Sequence, residues 1–508
     1  MTMLSRILGF VRDMVFARIF GVDGTTDAFF LAFKIPNFLR RLFAEGAFSQ
    51  AFVPVLSEYK EKKSAEDLTE LVDRVAGTLG VILFVVTLIG VIAAPILIMV
   101  FGPGFASDPE KHQLASDMLR FTFPYLLFIA MTAFAGSILN SFNKFAVPAF
   151  TPVLLNLSLI GMALWVAPLL DTPIMALAWG VFLAGLIQLL FQLPFLYRIN
   201  LLPRPKWGWR FAGVQRIIQL MLPAIFGSSV AQINLLLDTV IASFLVTGSI
   251  SWLYYADRLV EFPLGIFGIA LATVILPHLS KNHAQASPEK FSATLDWALR
   301  LTVVVGIPAT LGLFILAKPM LTTLFYGGEF TVHDIEMASL SLMAYSTGLM
   351  GFILVKILAP GFYARQDTKT PVRIGIIAMV SNMVLNLLFV APLVMFDFPG
   401  PHMGLALATA CSAFINAALL LAALKKKYIY RPAPGWAKLL LRVFIANTIM
   451  GLILWFGAEP LSVWTQWETW LRALHLLKWI AIGAVSYFIC LTILGLKLRG
   501  LLVNTAAK

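Results

Sequence analysis

Apolar residues run along this chain in long unbroken stretches, not in the alternation of a strand or the one-sided stripe of a soluble helix. Residues 75–99, 121–138, 153–169, 175–195 and 479–496 each come near the length, about 20 residues, that crosses a hydrocarbon core as a helix. Similar runs recur from end to end, so the pattern predicts an all-α polytopic membrane protein with about fourteen transmembrane helices. Composition agrees: 59% of the 508 residues are hydrophobic and 13% are charged, with a mean hydropathy of +0.87. Soluble domains carry roughly 25% charge, and a soluble fold of this length could not bury so much apolar surface.

The net charge of +12 is distributed by topology. Lys60, Lys62 and Lys63, then Lys144, the basic residues of 198–210, Lys281 and Lys290, and those of 365–373 and 425–431 occupy every second connection. The intervening connections hold only Lys111. By the positive-inside rule the basic set faces the cytoplasm, as do both termini, and no single basic patch points to nucleic acid. Trp464, Trp467 and Trp470 are expected in an outer interfacial belt. Arg6, Arg12, Asp13 and Arg18 within the first helical segment argue against a cleavable signal peptide. Cys411 and Cys490 both lie in apolar runs, which leaves no disulfide framework or metal cluster and makes them packing residues.

A repeat is written into the chain. Pro54 of Val53-Pro54-Val55-Leu56-Ser57 and Pro277 of Leu276-Pro277-His278-Leu279-Ser280 lie 223 positions apart, as do Pro148 and Pro371. Two six-helix halves are therefore expected, at 1–200 and 211–427, with two unpaired helices at 436–500. Six crossings is an even number, so the halves run parallel, related by an axis along the membrane normal, and such lobes enclose a cavity. The offset puts the start of the first span upstream of residue 1, so either the first helix is a stub or the natural N-terminus is longer, the second being favoured.

Charge at bilayer depth costs about 2.5 kcal/mol or more, yet it is concentrated in a few spans here. The first two hold Arg6, Arg12, Asp13, Arg18, Asp27, Lys34, Arg40, Arg41 and Glu45; the eighth holds Asp257, Arg258 and Glu261. Arg6 and Arg12 are expected to line one cationic wall, suited to phosphate because guanidinium binds its oxygens in a bidentate fork. Arg40 and Arg41 fit equally well as snorkelling helix ends. Asp27 and Glu45 either gate by pairing with arginines or only neutralise them. Asp238 in the seventh span and Asn382 and Asn386, four apart in the eleventh, could hold Na⁺ through their oxygens, exchange a proton, or serve interhelical hydrogen bonds. Prolines within spans, Pro36, Pro263, Pro308 and Pro360 among them, free backbone carbonyls and permit bending. No GxxxxGK[ST], HExxH or GxSxG motif occurs, so an ATP-fuelled pump or an enzyme of these classes is not expected.

Several segments carry a specific resemblance: Ser5-Arg6-Ile7-Leu8-Gly9-Phe10-Val11-Arg12-Asp13, Thr26-Asp27-Ala28-Phe29-Phe30 and Pro36-Asn37-Phe38-Leu39-Arg40-Arg41-Leu42-Phe43-Ala44-Glu45-Gly46. With Tyr254-Tyr255-Ala256-Asp257-Arg258-Leu259-Val260-Glu261-Phe262-Pro263 and Ala359-Pro360-Gly361-Phe362-Tyr363-Ala364-Arg365-Gln366-Asp367, the chain resembles the MurJ (MviN) family of lipid II flippases over nearly its whole length. The resemblance implies the fold of the multidrug and polysaccharide exporters, a bacterial inner-membrane location, and membrane lipids as surroundings. It also implies export of lipid II, the undecaprenyl-diphosphate-linked peptidoglycan precursor, by alternating access, with the polyprenyl tail in a groove of the last two helices. Ser5, Arg6, Arg12 and Arg258 then correspond to residues engaging the diphosphate, and Asp27 and Glu45 to functional acidic positions. Asp238, Asn382 and Asn386 resemble a sodium site, with Na⁺ or the membrane potential driving the cycle, and no organic cofactor is implied. Peptidoglycan-synthesis proteins are candidate partners. The alternatives are an exporter of cationic drugs, which a cationic wall disfavours, an exporter of another polyprenyl-linked oligosaccharide, and a non-transporting scaffold for cell-wall enzymes.

Overall fold

Long apolar runs satisfy their backbone groups within one segment only as helices once water is excluded, and the described residues of the computed structural model form helices joined by short connections. It describes residues 2–42, 48–285 and 287–496. Two compact units emerge: Met1–Ser251 with Gly328–Phe330, and Trp252–Gly327 with Thr331–Lys508.

The first unit contains α1 (Thr2–Phe20), α2 (Gly24–Arg40), α3 (Ser49–Lys62), α4 (Ala65–Ile92), α5 (Ala94–Phe101), α6 (Pro109–Thr122), α7 (Tyr125–Ser141), α8 (Ala146–Gly161), α9 (Met175–Arg198) and α10 (Ala212–Ala242). One of its cores gathers α3, α4 and α7 around Phe48, Phe52 and Phe134, with the Phe52 and Phe134 rings 5.2 Å apart. From Trp252 onward the second unit contains the rest of α11 (Ser249–Pro263), then α12 (Ala270–Ala284), α13 (Pro288–Ile315), α14 (Ala317–Phe325), α15 (Val332–Leu358) and α16 (Pro360–Tyr363). It continues through α17 (Lys369–Met395), α18 (Met403–Lys426), α19 (Trp436–Gly457), α20 (Leu461–Gln466) and α21 (Thr469–Ile493). A π turn, Leu264–Ile269, follows Pro263, where the proline removes a helical donor. Helices α15 and α18 approach through small residues, and a Cβ on Gly348 would stand 2.6 Å from the Cα of Ala410, so this contact requires glycine.

Eleven helical segments among the described residues are long and apolar enough to span a membrane. Helices α1, α2 and α10 are the remaining three of the expected fourteen; α1 and α2 hold the clustered charges read from the sequence. Large apolar side chains lie exposed along α4 (Phe84, Ile89, Ile92), α17 (Leu387, Leu388) and α19 (Phe444, Phe456), the arrangement a lipid solvent demands.

The 223-residue offset recurs in the contacts. Asp73 of α4 and Asp296 of α13 stand 223 apart, are both buried, and each ties down the connection leaving the last helix of its repeat. Asp73 accepts from the Arg204 backbone N–H at 2.7 Å and pairs with Lys206 Nζ at 2.9 Å. Asp296 accepts from Tyr430 Oη (2.7 Å), Ala433 N (3.1 Å), Trp436 Nε1 (2.8 Å) and Arg300 Nε (2.6 Å).

Trp464 departs from the outer belt expected of it. Trp464 is fully buried, its indole N–H donating to the Glu459 carbonyl at 3.0 Å, while its neighbour Trp470 is 61% exposed. An indole at a helix end can equally plug a core when a carbonyl oxygen accepts a hydrogen bond from its N–H. Trp464 instead lies beside Arg472, a buried guanidinium that donates to the carbonyls of Trp464 (3.0 Å), Thr465 (3.2 Å), Thr322 (3.5 Å) and Tyr326 (3.3 Å). Cys411 and Cys490 are free thiols.

His402, between α17 and α18, is wholly buried against Trp252, with Nε2 at 3.0 Å from the Met337 carbonyl. Burial pushes its pKa down to about 4, against the opposing pull of that hydrogen bond. The unfolded histidine takes a proton near pH 6.5 while the folded one stays neutral, so stability declines as pH falls from about 6.5 toward 4, by about 3 kcal/mol in full. Thermal melts across this range are expected to show the decline in wild type and a flatter profile in His402→Phe.

Candidate functional site

In the first unit the chemistry gathers where α1 meets α8. Arg12 is 4% exposed, and its Nε and Nη2 donate to Oδ1 of Asp13 at 3.0 and 2.7 Å. Its Nη1 donates to Oδ1 of Asn156 at 3.1 Å, and Asn156 Nδ2 donates to the Ser5 carbonyl at 3.0 Å. Ser5 and Arg12 are seven apart, about two turns, so one amide on α8 bridges both. The Phe16 ring lies 5.6 Å from the guanidinium carbon. A guanidinium in so apolar a place is stable only when its charge and its N–H groups are met, and here both are.

Arg6 differs from the expectation of a shared wall. Six residues fall about 120° short of two full turns of a helix, so Arg6 points away from Arg12; it is exposed and has no ion pair among the described residues.

Asp27 makes a second buried cluster, at the first turns of α2 and α11. Its Oδ2 accepts from Gly248 N at 2.7 Å; its Oδ1 accepts from the backbone N–H (2.9 Å) and hydroxyl (2.7 Å) of Ser251. Lys111 Nζ, the one cation of the intervening connections, is 3.5 Å away. The carboxylate therefore caps the N-terminus of α11, where the helix dipole favours negative charge, and its ion-pair partner here is a lysine, not an arginine. Asp27→Ala would leave two backbone donors, a hydroxyl and the Lys111 charge without their acceptor. A loss of about 3 kcal/mol is expected, with Asp27→Asn in between, read as a lower unfolding midpoint of the detergent-solubilised protein.

Arg40 Nε donates to Asn37 Oδ1 at 2.8 Å in the last turn of α2, and Arg41 is exposed at its C-cap. Glu45 lies outside the described residues. Asp238 is buried in α10.

In the second unit, Arg258 sits on α11 between Tyr254 and Glu261. Nη1 donates to Glu261 Oε2 at 2.8 Å, and the guanidinium carbon is 5.4 Å from the Tyr254 ring. These are i−4 and i+3 neighbours, so one stripe of α11 orients the arginine while its side chain remains 32% exposed. Asp257 is exposed on the same helix. Asn382 and Asn386 are fully buried on one face of α17.

A protein-family model described as the lipid II flippase MurJ matches residues 16–474. This chain belongs to the MurJ lipid II flippase family. A probable lipid II flippase MurJ of Vibrio cholerae is 52% identical over 99% of this chain and 96% of its own length. The lipid II flippase MurJ of Burkholderia cenocepacia is 42% identical over 98% and 96%. A solved lipid II flippase MurJ in an inward closed conformation superposes with a TM-score of 0.79 at 29% identity, covering 97% of each chain. An inward-facing multidrug transporter of the MATE family superposes at 0.69 with 13% identity over 83% of this chain and 94% of its own, a likeness of fold alone.

Within this MurJ-family chain, sequence reasoning missed Asn156, the residue that joins Ser5 to Arg12. A lone amide in the apolar run 153–169 was the available signal, because such residues in membrane helices usually bind a neighbouring helix. Lys111 was visible as an isolated cation, but its partner was not.

Proposed function

We propose that this chain moves lipid II from the cytoplasmic to the periplasmic leaflet by alternating access, with Arg6, Arg12 and Arg258 engaging the diphosphate. What supports the reading most is the Arg12 cluster in a member of the MurJ family: a buried guanidinium already oriented by Asn156 and neutralised by Asp13. A diphosphate offers the same oxygen acceptors as a carboxylate with more charge, so Asp13 acts as the counter-ion while the anion is absent. Arg6, exposed, makes first contact, and Arg258 is oriented by Tyr254 and Glu261. The reaction is transport without covalent chemistry.

The proposal places both termini in the cytoplasm of a bacterium, in its inner membrane, from the alternation of basic connections. Na⁺ or the membrane potential resets the cycle. Asp238, Asn382 and Asn386 are buried oxygen donors of the kind a hard cation takes, and they would hold the ion. Peptidoglycan-synthesis proteins are the proposed neighbours.

Complementation of a strain depleted of its own lipid II flippase tests this. Wild type should restore growth and outward exposure of lipid II, whereas Arg6→Ala and Arg258→Ala, present in the membrane at normal levels, should not. Growth with both variants would favour the scaffold reading, and failure of wild type would remove the substrate assignment.

A further inference from the structure

We propose that the connection between α9 and α10, residues 199–211, is a fixed anchor for anionic phospholipid headgroups of the cytoplasmic leaflet. The proposal takes only its choice of leaflet from the orientation given above. From Leu201 to Gly208 the connection has no helix, yet it is held on α4 along its length. Arg204 N donates to the Asp73 carboxylate (2.7 Å), Lys206 N to the Asp73 carbonyl (3.0 Å) and Gly208 N to Thr78 Oγ1 (3.1 Å), while Arg74 Nη1 donates to the Trp207 carbonyl (2.7 Å). The crossing needs Gly77, where a Cβ would collide with the Lys206 carbonyl.

This crossing lies where α4 changes from a polar first third, Glu66 to Arg74, to the apolar run that starts at Val75. That change marks the depth of a membrane interface, which tryptophan prefers. Trp207 and Trp209 stand there side by side, 54% and 43% exposed, with stacked rings 6.3 Å apart. Arg204, Lys206 and Arg210 flank them, all exposed, and neither arginine side chain has a carboxylate partner among the described residues.

The second repeat shows that the fold does not require this exposure. Tyr430 stands 223 positions after Trp207, in the equivalent connection, and is only 3% exposed because it turns inward to Asp296. The same tie thus buries its aromatic in one repeat and presents two indoles between three cations in the other. Aromatic rings at the interface with guanidinium and ammonium groups beside them match a leaflet that carries phosphate headgroups of net negative charge.

The test uses the full chain in nanodiscs of phosphatidylcholine containing a small fraction of either dibrominated phosphatidylglycerol or dibrominated phosphatidylcholine, whose bromines quench nearby indoles. Subtracting the signal of Trp207→Phe/Trp209→Phe isolates the pair from the remaining tryptophans. The pair should be quenched more by the anionic probe than by the neutral one at equal fraction, and the excess should shrink as salt rises. Arg204→Gln/Arg210→Gln, which keeps the backbone bonds to Asp73, should weaken the preference about fivefold per residue replaced at low salt. Equal quenching by the two probes, or no quenching of the pair, would overturn the proposal; the second result would mean that something other than lipid covers the strip. No lipid II enters the measurement, so its failure is separable from failure of the transport reading.

Discussion

Arg12→Ala is expected to lose transport and also to destabilise the protein by about 3–5 kcal/mol, because it removes the guanidinium that donates twice to the buried Asp13 carboxylate and the donor that Asn156 accepts from. The two losses can be separated. Replacing both members of a buried pair with apolar groups of similar volume is often neutral for stability, so Arg12→Met/Asp13→Leu should regain most of the unfolding midpoint while remaining unable to support growth. Asp13→Asn alone should be milder, since an amide oxygen still accepts from the guanidinium. Unfolding in detergent and growth of the depleted strain give the two readouts; a double variant that is stable and also transports would show that Arg12 serves the fold alone.

Asp296→Ala should have an effect of similar size, about 3–5 kcal/mol, through a different route. The substitution leaves Tyr430 Oη, Trp436 Nε1, the Ala433 N–H and Arg300 Nε without their common acceptor, and each buried donor so stranded costs about 1 kcal/mol or more. Residues 427–435 then lose their hold on α13, and trypsin should cut after Lys427, the basic residue of this connection not followed by proline, well before it cuts wild type. Asp296→Asn, which keeps an acceptor, should lie in between. The repeat predicts a counterpart: Asp73→Ala should expose Lys206 to trypsin in the same way. Wild-type cleavage rates in both variants would mean that the aspartates do not secure these connections.

The helices were legible because bilayer physics writes them in one dimension: about 20 apolar residues in a row need no partner to be recognised. The charged helices α1 and α2 were read from the sequence with less contrast, since their hydropathy is diluted by the residues that make them interesting, and the family motifs reinforced them. The offset of 223, found from prolines, already aligned Asp73 with Asp296; what it could not say was that each reaches a connection more than 100 residues further on. Arg12 and Asn156 are 144 positions apart, and no local period links them. Trp464 was misplaced because an aromatic near a span end fits a lipid interface and a core plug equally well, and only its bond to the Glu459 carbonyl decides. Asp27 looked like a partner for arginine by charge alone, whereas its geometry is that of a helix cap.

Lipid II transport that depends on the buried Arg12 is tested most directly by reconstitution. Purified protein in vesicles loaded with lipid II on one leaflet should transfer the headgroup to the other, read by a membrane-impermeant reagent, faster than protein-free vesicles do. Arg12→Met/Asp13→Leu at equal protein content should fall to the protein-free rate. Transfer by that variant at the wild-type rate, or no acceleration by wild type, would contradict the account.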